Sequence, residues 1–97
     1  MTGSLYKSPF YFFTREGDYV TVPGVNATSF GISYTIPNNF TAVSCTFWHG
    51  YSPFIEGGIE SFNNTEASGY LISTTGNTYQ VKPMFAILAI DNRMIQT

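Results

Sequence analysis

Across residues 28–36 four large apolar side chains, Phe30, Ile32, Tyr34 and Ile36, alternate with Ser29, Gly31, Ser33 and Thr35. Successive side chains of a strand point to opposite faces, so a period of two predicts a strand with one face buried. A one-residue slip would put all four large groups into water, which pins the register. Elsewhere no apolar repeat at helical spacing is sustained, and Leu, Ala and Glu are scarce. Thr, Ser, Tyr, Phe, Val and Ile dominate instead, and these suit a pleated, half-buried surface. The chain is expected to be all-β.

Gly and Pro divide it at short intervals. Residues 10–16 (FYFFTRE) read as a first strand closed by Gly17-Asp18, and residues 19–22 as a short extended piece ending at Pro23-Gly24. After the alternating strand, Pro37-Asn38-Asn39 turns the chain. Residues 41–49 follow, with Val43, Cys45 and Phe47 on one face and Ala42, Ser44, Thr46 and Trp48 on the other. Residues 50–53 read as a loop, and residues 54–62 as extended, with Gly57-Gly58 marking a bulge or a close backbone approach. Residues 63–68 read as a polar connection and residues 69–74 as a strand. Thr75-Gly76-Asn77 reads as a hairpin turn. Residues 79–90 form the last strand, with Pro83 near its start. The expected fold is an antiparallel β-sandwich of six to seven strands, a single domain over residues 1–97. Residues 1–8 read as an extended N-terminal arm or a cloning remnant.

The last strand carries a further constraint. Met84-Phe85-Ala86-Ile87-Leu88-Ala89-Ile90 is apolar on both faces, whereas a strand covered on one side shows a polar outer face. The expected second cover is another subunit, with Met84, Phe85, Ile87, Leu88 and Ile90 as interface residues of a homo-oligomer. Composition agrees, since only 10% of the residues are charged against 18% aromatic. An ordinary domain carries roughly 25% charged residues. Four Lys and Arg with a net charge of -2 leave no electrostatic footprint for nucleic acid. No apolar run approaches the ~18 residues of a membrane span, and the first residues lack the basic region and apolar core of a secretory signal.

Cys45 is the only Cys and His49 the only His, so neither an intrachain disulfide nor an ordinary zinc site is available. On one strand these two lie ~13 Å apart, too far for a nucleophile and its base at ~3 Å. No metal and no cofactor are expected. Asn-x-Thr sequons at Asn26, Asn39 and Asn63 have no supporting secretory context.

The order of features resembles the C-terminal β-sandwich of phage tail-fibre and baseplate proteins, which is similar to H-type lectins. The resemblance rests on Phe30-Gly-Ile-Ser-Tyr-Thr-Ile36, Pro37-Asn-Asn-Phe40, Thr41-Ala-Val-Ser-Cys-Thr-Phe47, Thr65-Glu-Ala-Ser-Gly69-Tyr70-Leu71-Ile72-Ser73, and Phe85-Ala-Ile87-Leu-Ala89-Ile90. In the last of these, Ile87 stands where the pattern has Trp. The resemblance spans roughly residues 19–91. It implies a homotrimer with closing strands near the threefold axis, a virion location, and a receptor-binding task on host cell-surface saccharide.

Sugar rings have an apolar C–H face that stacks on aromatics and hydroxyls at the edge. Phe47-Trp48-His49-Gly50-Tyr51-Ser52-Pro53-Phe54 gathers the only Trp, the only His, a Tyr and two Phe. Trp48, His49, Tyr51, Phe54 and Glu56 are therefore the candidate ligand residues, with Glu60 a further acceptor. Glu56 and Glu60 are ~13 Å apart on an unbent strand, beyond the ~5 Å or ~6.5–9.5 Å that glycosidases use. The expectation is a non-enzymatic recognition module. A purely structural virion or appendage subunit is the alternative, and a cellular H-type-like lectin the third.

Overall fold

The computed structural model describes residues 8–51 and 53–95. The expected N-terminal arm, up to residue 7, lies outside them, as does Ser52. The described chain is nearly all-β, with antiparallel pairing throughout. Its elements are β1 (Phe10–Glu16), β2 (Val20–Val22), β3 (Thr28–Ser33), β4 (Phe40–Trp48), β5 (Ile55–Phe62), β6 (Glu66–Ser73), β7 (Tyr79–Val81), β8 (Met84–Asp91) and a single helical turn, α1 (Asn92–Ile95). Among the described residues no helix is long and apolar enough to cross a membrane.

Two three-stranded sheets, ordered β1-β8-β4 and β3-β6-β5, face each other in a sandwich-like arrangement. The two-residue period does what it predicts: Phe30, Ile32, Tyr34 and Ile36 all turn toward the core, although the strand itself ends at Ser33. From the opposite sheet come Cys45, Phe85, Ile87 and Ala89, and Ala67 comes from β6. At the centre Phe47 meets Phe30 edge-on at 5.2 Å between centroids and Phe85 at 5.7 Å. Gly57 makes room for that ring, since a Cβ there would stand 3.0 Å from Phe47 Cζ and 2.4 Å from the Tyr70 carbonyl oxygen. The close backbone approach read at Gly57-Gly58 is thus real at Gly57, whereas the register shift in this strand falls between Ile59 and Ser61.

Several sequence expectations change, among them the polar connection at residues 63–68, where β6 already begins at Glu66. The last strand is two: β7 pairs with β2, and β8 pairs with β1 and β4. The break falls at Lys82-Pro83, where proline has no N–H to donate to a ladder. Thr75-Gly76-Asn77 is therefore no hairpin turn, because β6 and β7 are not partners. It carries the chain from a sheet to the β2-β7 ribbon, held where a Cβ on Gly24 would lie 2.1 Å from the Gly76 carbonyl oxygen. In β4 the register shifts between Ala42 and Ser44, so Val43 is the extra residue. Ala42 consequently joins the core side with Cys45 and Phe47, while Val43 is exposed.

β8 shows why the apolar run is long. Phe85, Ile87 and Ala89 are buried between the sheets. Ala86, Leu88 and Ile90 alternate with them on the outer face and remain half-buried, with Met84 more open. The five residues expected at an interface thus divide. Phe85 and Ile87 belong to the chain's own core and have no surface to offer. Met84, Leu88 and Ile90 face outward.

Candidate functional site

Parity at the end of β4 decides where the aromatics point. Phe47 goes into the core, so Trp48 turns to the outer face beside its partner Met84. His49 follows the strand end and stacks on Trp48 at 5.7 Å between centroids, with ring planes 16° apart. Its Nδ1 contacts the Gly50 carbonyl. Gly50 and Tyr51 then adopt positive φ of 75° and 57°. Two successive left-handed residues bend the chain sharply, and the Tyr51 carbonyl accepts hydrogen bonds from Phe54 N and Ile55 N.

That bend delivers Tyr51 and Phe54 to a common neighbour. The Tyr51 ring lies 5.4 Å from Tyr79, and Phe54 stacks on Tyr79 at 6.2 Å with planes 4° apart. The Tyr79 hydroxyl meets Thr75 Oγ1 at 2.9 Å. Backbone and hydroxyl contacts fix this arrangement: Thr74 N donates to Phe54 O, Thr74 Oγ1 donates to Pro53 O, and Ser73 Oγ donates to Asn77 O. Trp48, Tyr51 and Phe54 are 62%, 53% and 47% exposed, so the rings are open to solvent in the single chain.

The candidate set therefore separates into two neighbouring groups. Trp48 stands on the outer side of the β1-β8-β4 sheet, and His49, just past the strand end, lies against both Trp48 and Phe47. Tyr51 and Phe54 gather around Tyr79 on the loops that close one end. Glu56 is on neither: β5 buries Ile55, and Glu56 is exposed at the register of Ile72. Sequence reasoning missed Tyr79 and Thr75. The signal was available, since a Tyr two residues past a Thr-Gly-Asn turn lies at the end of a strand, but nothing local says that the loop at residues 50–54 folds onto it.

Cys45 and His49 lie in different surroundings. Cys45 is buried opposite Ile87, and burial pushes its thiol above the ordinary value, which keeps it protonated and poorly nucleophilic. His49 is at the outer end of the strand, on Trp48. Among the described residues no group of three or more His, Cys, Asp or Glu is placed to hold a metal ion.

Away from the aromatic end, a cleft of about 410 Å³ lies beside the β1-β2 turn, with Arg15, Asp18, Ser33, Ser61, Glu66 and Ser68 among its lining. At the opposite end of β8, Asp91 accepts from Arg93 N at 2.9 Å, Nε at 3.2 Å and Nη2 at 2.7 Å. These bonds hold its carboxyl at about 2, well below the usual carboxylate value. Comparison with family models, curated proteins and solved structures finds no match for this chain.

Proposed function

We propose that this domain is a non-enzymatic recognition module that contacts cell-surface saccharide. In the reading that the sequence resemblance suggests, it serves as a phage tail-associated receptor-binding or adhesion domain on the virion. The observation that carries the saccharide reading is the exposed ring cluster of Tyr51 and Phe54 around Tyr79, edged by the Thr75 hydroxyl. Flat aromatic faces take the C–H face of a pyranose, and hydroxyls at their rim take its polar edge. Exposed rings held by backbone hydrogen bonds cost little entropy to present, which favours shallow binding over deep enclosure.

The test is a glycan array combined with binding to intact cells. Tyr51→Ala is expected to weaken binding about tenfold, which corresponds to ~1.4 kcal/mol, with an unchanged circular dichroism spectrum. Blank arrays together with absent cell binding would remove the saccharide reading. The second reading, a purely structural subunit, draws its support from the outer face of the β1-β8-β4 sheet.

A further inference from the structure

We infer that the outer face of the β1-β8-β4 sheet is an interface between copies of this chain. Phe10 and Phe12 on β1, Leu88 and Ile90 on β8, and Val43 and Trp48 on β4 lie on this side. The positions between them are Thr14, Thr41, Ser44, Thr46 and Ala86, and the charged side chain of this parity on β1 is Glu16, at the strand's end opposite Met84, where it pairs with Lys82 at 3.4 Å. The outer side of the other sheet is different, with Glu56 and Glu60 exposed among serines. Phe10 and Phe12 are 52% and 62% exposed. A solvent-facing sheet surface is ordinarily mostly polar or charged, whereas here Phe10, Phe12, Leu88, Ile90, Val43 and Trp48 share one side.

Shape and area point to a second copy as the occupant. Phe10 and Phe12 make a ridge along one edge strand, whereas Ala86, Ser44 and Thr46 leave a low strip alongside. The ridge of one copy fits the low strip of another, and the charged position on this face, Glu16, is four residues beyond Phe12 and already paired with Lys82, so the ridge and the strip themselves bring no charge to desolvate. Trp48, Phe10 and Phe12 are each more than half exposed. With ~150–250 Å² per aromatic side chain, they offer roughly 300–400 Å² together. Val43, Met84 and the outward residues of β8 extend this toward the ~800 Å² that each partner gives to a standard interface. A second copy also explains why β8 is apolar at every position from Met84 to Ile90 although only alternate residues reach the core.

The inference stands apart from saccharide binding and is tested without ligand. Sedimentation equilibrium of the full chain at micromolar concentration is expected to give two or three times the single-chain mass of 10.8 kDa. Leu88→Asp, and independently Phe12→Lys at an exposed edge position, are expected to return the single-chain mass with the far-ultraviolet spectrum retained. Phe12→Lys keeps the test valid if Leu88→Asp fails to fold. A single-chain mass for the unmodified protein, or an unchanged oligomer in Phe12→Lys, would overturn the inference. Saccharide binding that persists in a monomeric variant, or is absent from an intact oligomer, bears on the recognition reading alone.

Discussion

Asp91 and Arg93 show what single residues contribute here. Asp91 is buried at the end of β8, yet its carboxylate is fully satisfied by Arg93 and lies 3.5 Å from Asn39 Nδ2. Those bonds favour the charged form, so the folded carboxyl titrates at about 2, well below the ordinary carboxylate value. A depressed folded value means stability that is present above the unfolded value and is lost as pH falls through the folded one. Denaturant midpoints measured from pH 5 down to pH 2 are therefore expected to fall for the unmodified protein. In Asp91→Asn the midpoint starts lower and loses this part of its acid dependence. Gly57 acts through space. Gly57→Ala would drive a methyl against the Tyr70 carbonyl and Phe47, and overpacking of this kind costs about 1–3 kcal/mol. Urea denaturation is expected to show it, with a lowered midpoint and an unchanged slope. The sequence signalled this glycine as a place of close approach, but not which ring would approach it.

Among the elements, the β5-β6 hairpin is the most locally determined. Asn63 Oδ1 accepts from Thr65 N at 2.8 Å, Thr65 Oγ1 at 3.1 Å and Glu66 N at 2.9 Å, while Asn63 N donates to Glu66 O. One side chain thus closes the turn, and β6 begins at Glu66, inside what composition alone reads as a polar connection. The Tyr34 hydroxyl lies against the Asn63 and Glu66 carbonyls, which ties the same turn to the core strand's continuation. Asn63→Ala removes the acceptor for two backbone donors and is expected to cost about 1–2 kcal/mol, read as a lower urea midpoint. Asn63→Asp keeps the acceptor and is expected to recover most of that loss. Alternation made β3 and much of β4 legible, because burial on one face leaves a period of two in the residues, whereas β1 was legible as an aromatic run closed by Gly17-Asp18. The bulge at Val43 was not legible, since an extra residue in an apolar stretch preserves composition while reversing parity. The split of β7 from β8 was half visible: Pro83 marked it, but a proline near a strand start reads equally well as an edge position.

At the scale of the whole molecule, apolar residues serve two surfaces. Phe47 bridges the sheets, touching Phe30 across the core and its register partner Phe85 within its own sheet. Phe12 lies on the outside, and Leu88 is its register partner on β8. Sequence cannot separate these roles, because which side of β1 or β8 meets the opposite sheet is fixed by pairings between residues far apart in the chain. The same limit hid Tyr79 from the candidate site. The two surfaces differ in how they answer to concentration. Phe85→Ala is expected to cost about 3–5 kcal/mol at any protein concentration, as buried aromatic truncations do. Phe12→Ala leaves the core intact, so its effect on an isolated chain is expected to stay within about 0.5 kcal/mol. Association stabilises the folded state by mass action, so the thermal midpoint of the unmodified protein is expected to rise with protein concentration. In Phe12→Ala that rise is expected to flatten while the midpoint at the lowest concentration stays near the unmodified value. Calorimetric scans over a hundredfold dilution series separate the outcomes, and a midpoint of the unmodified protein that does not move with concentration would assign the outer face no part in assembly.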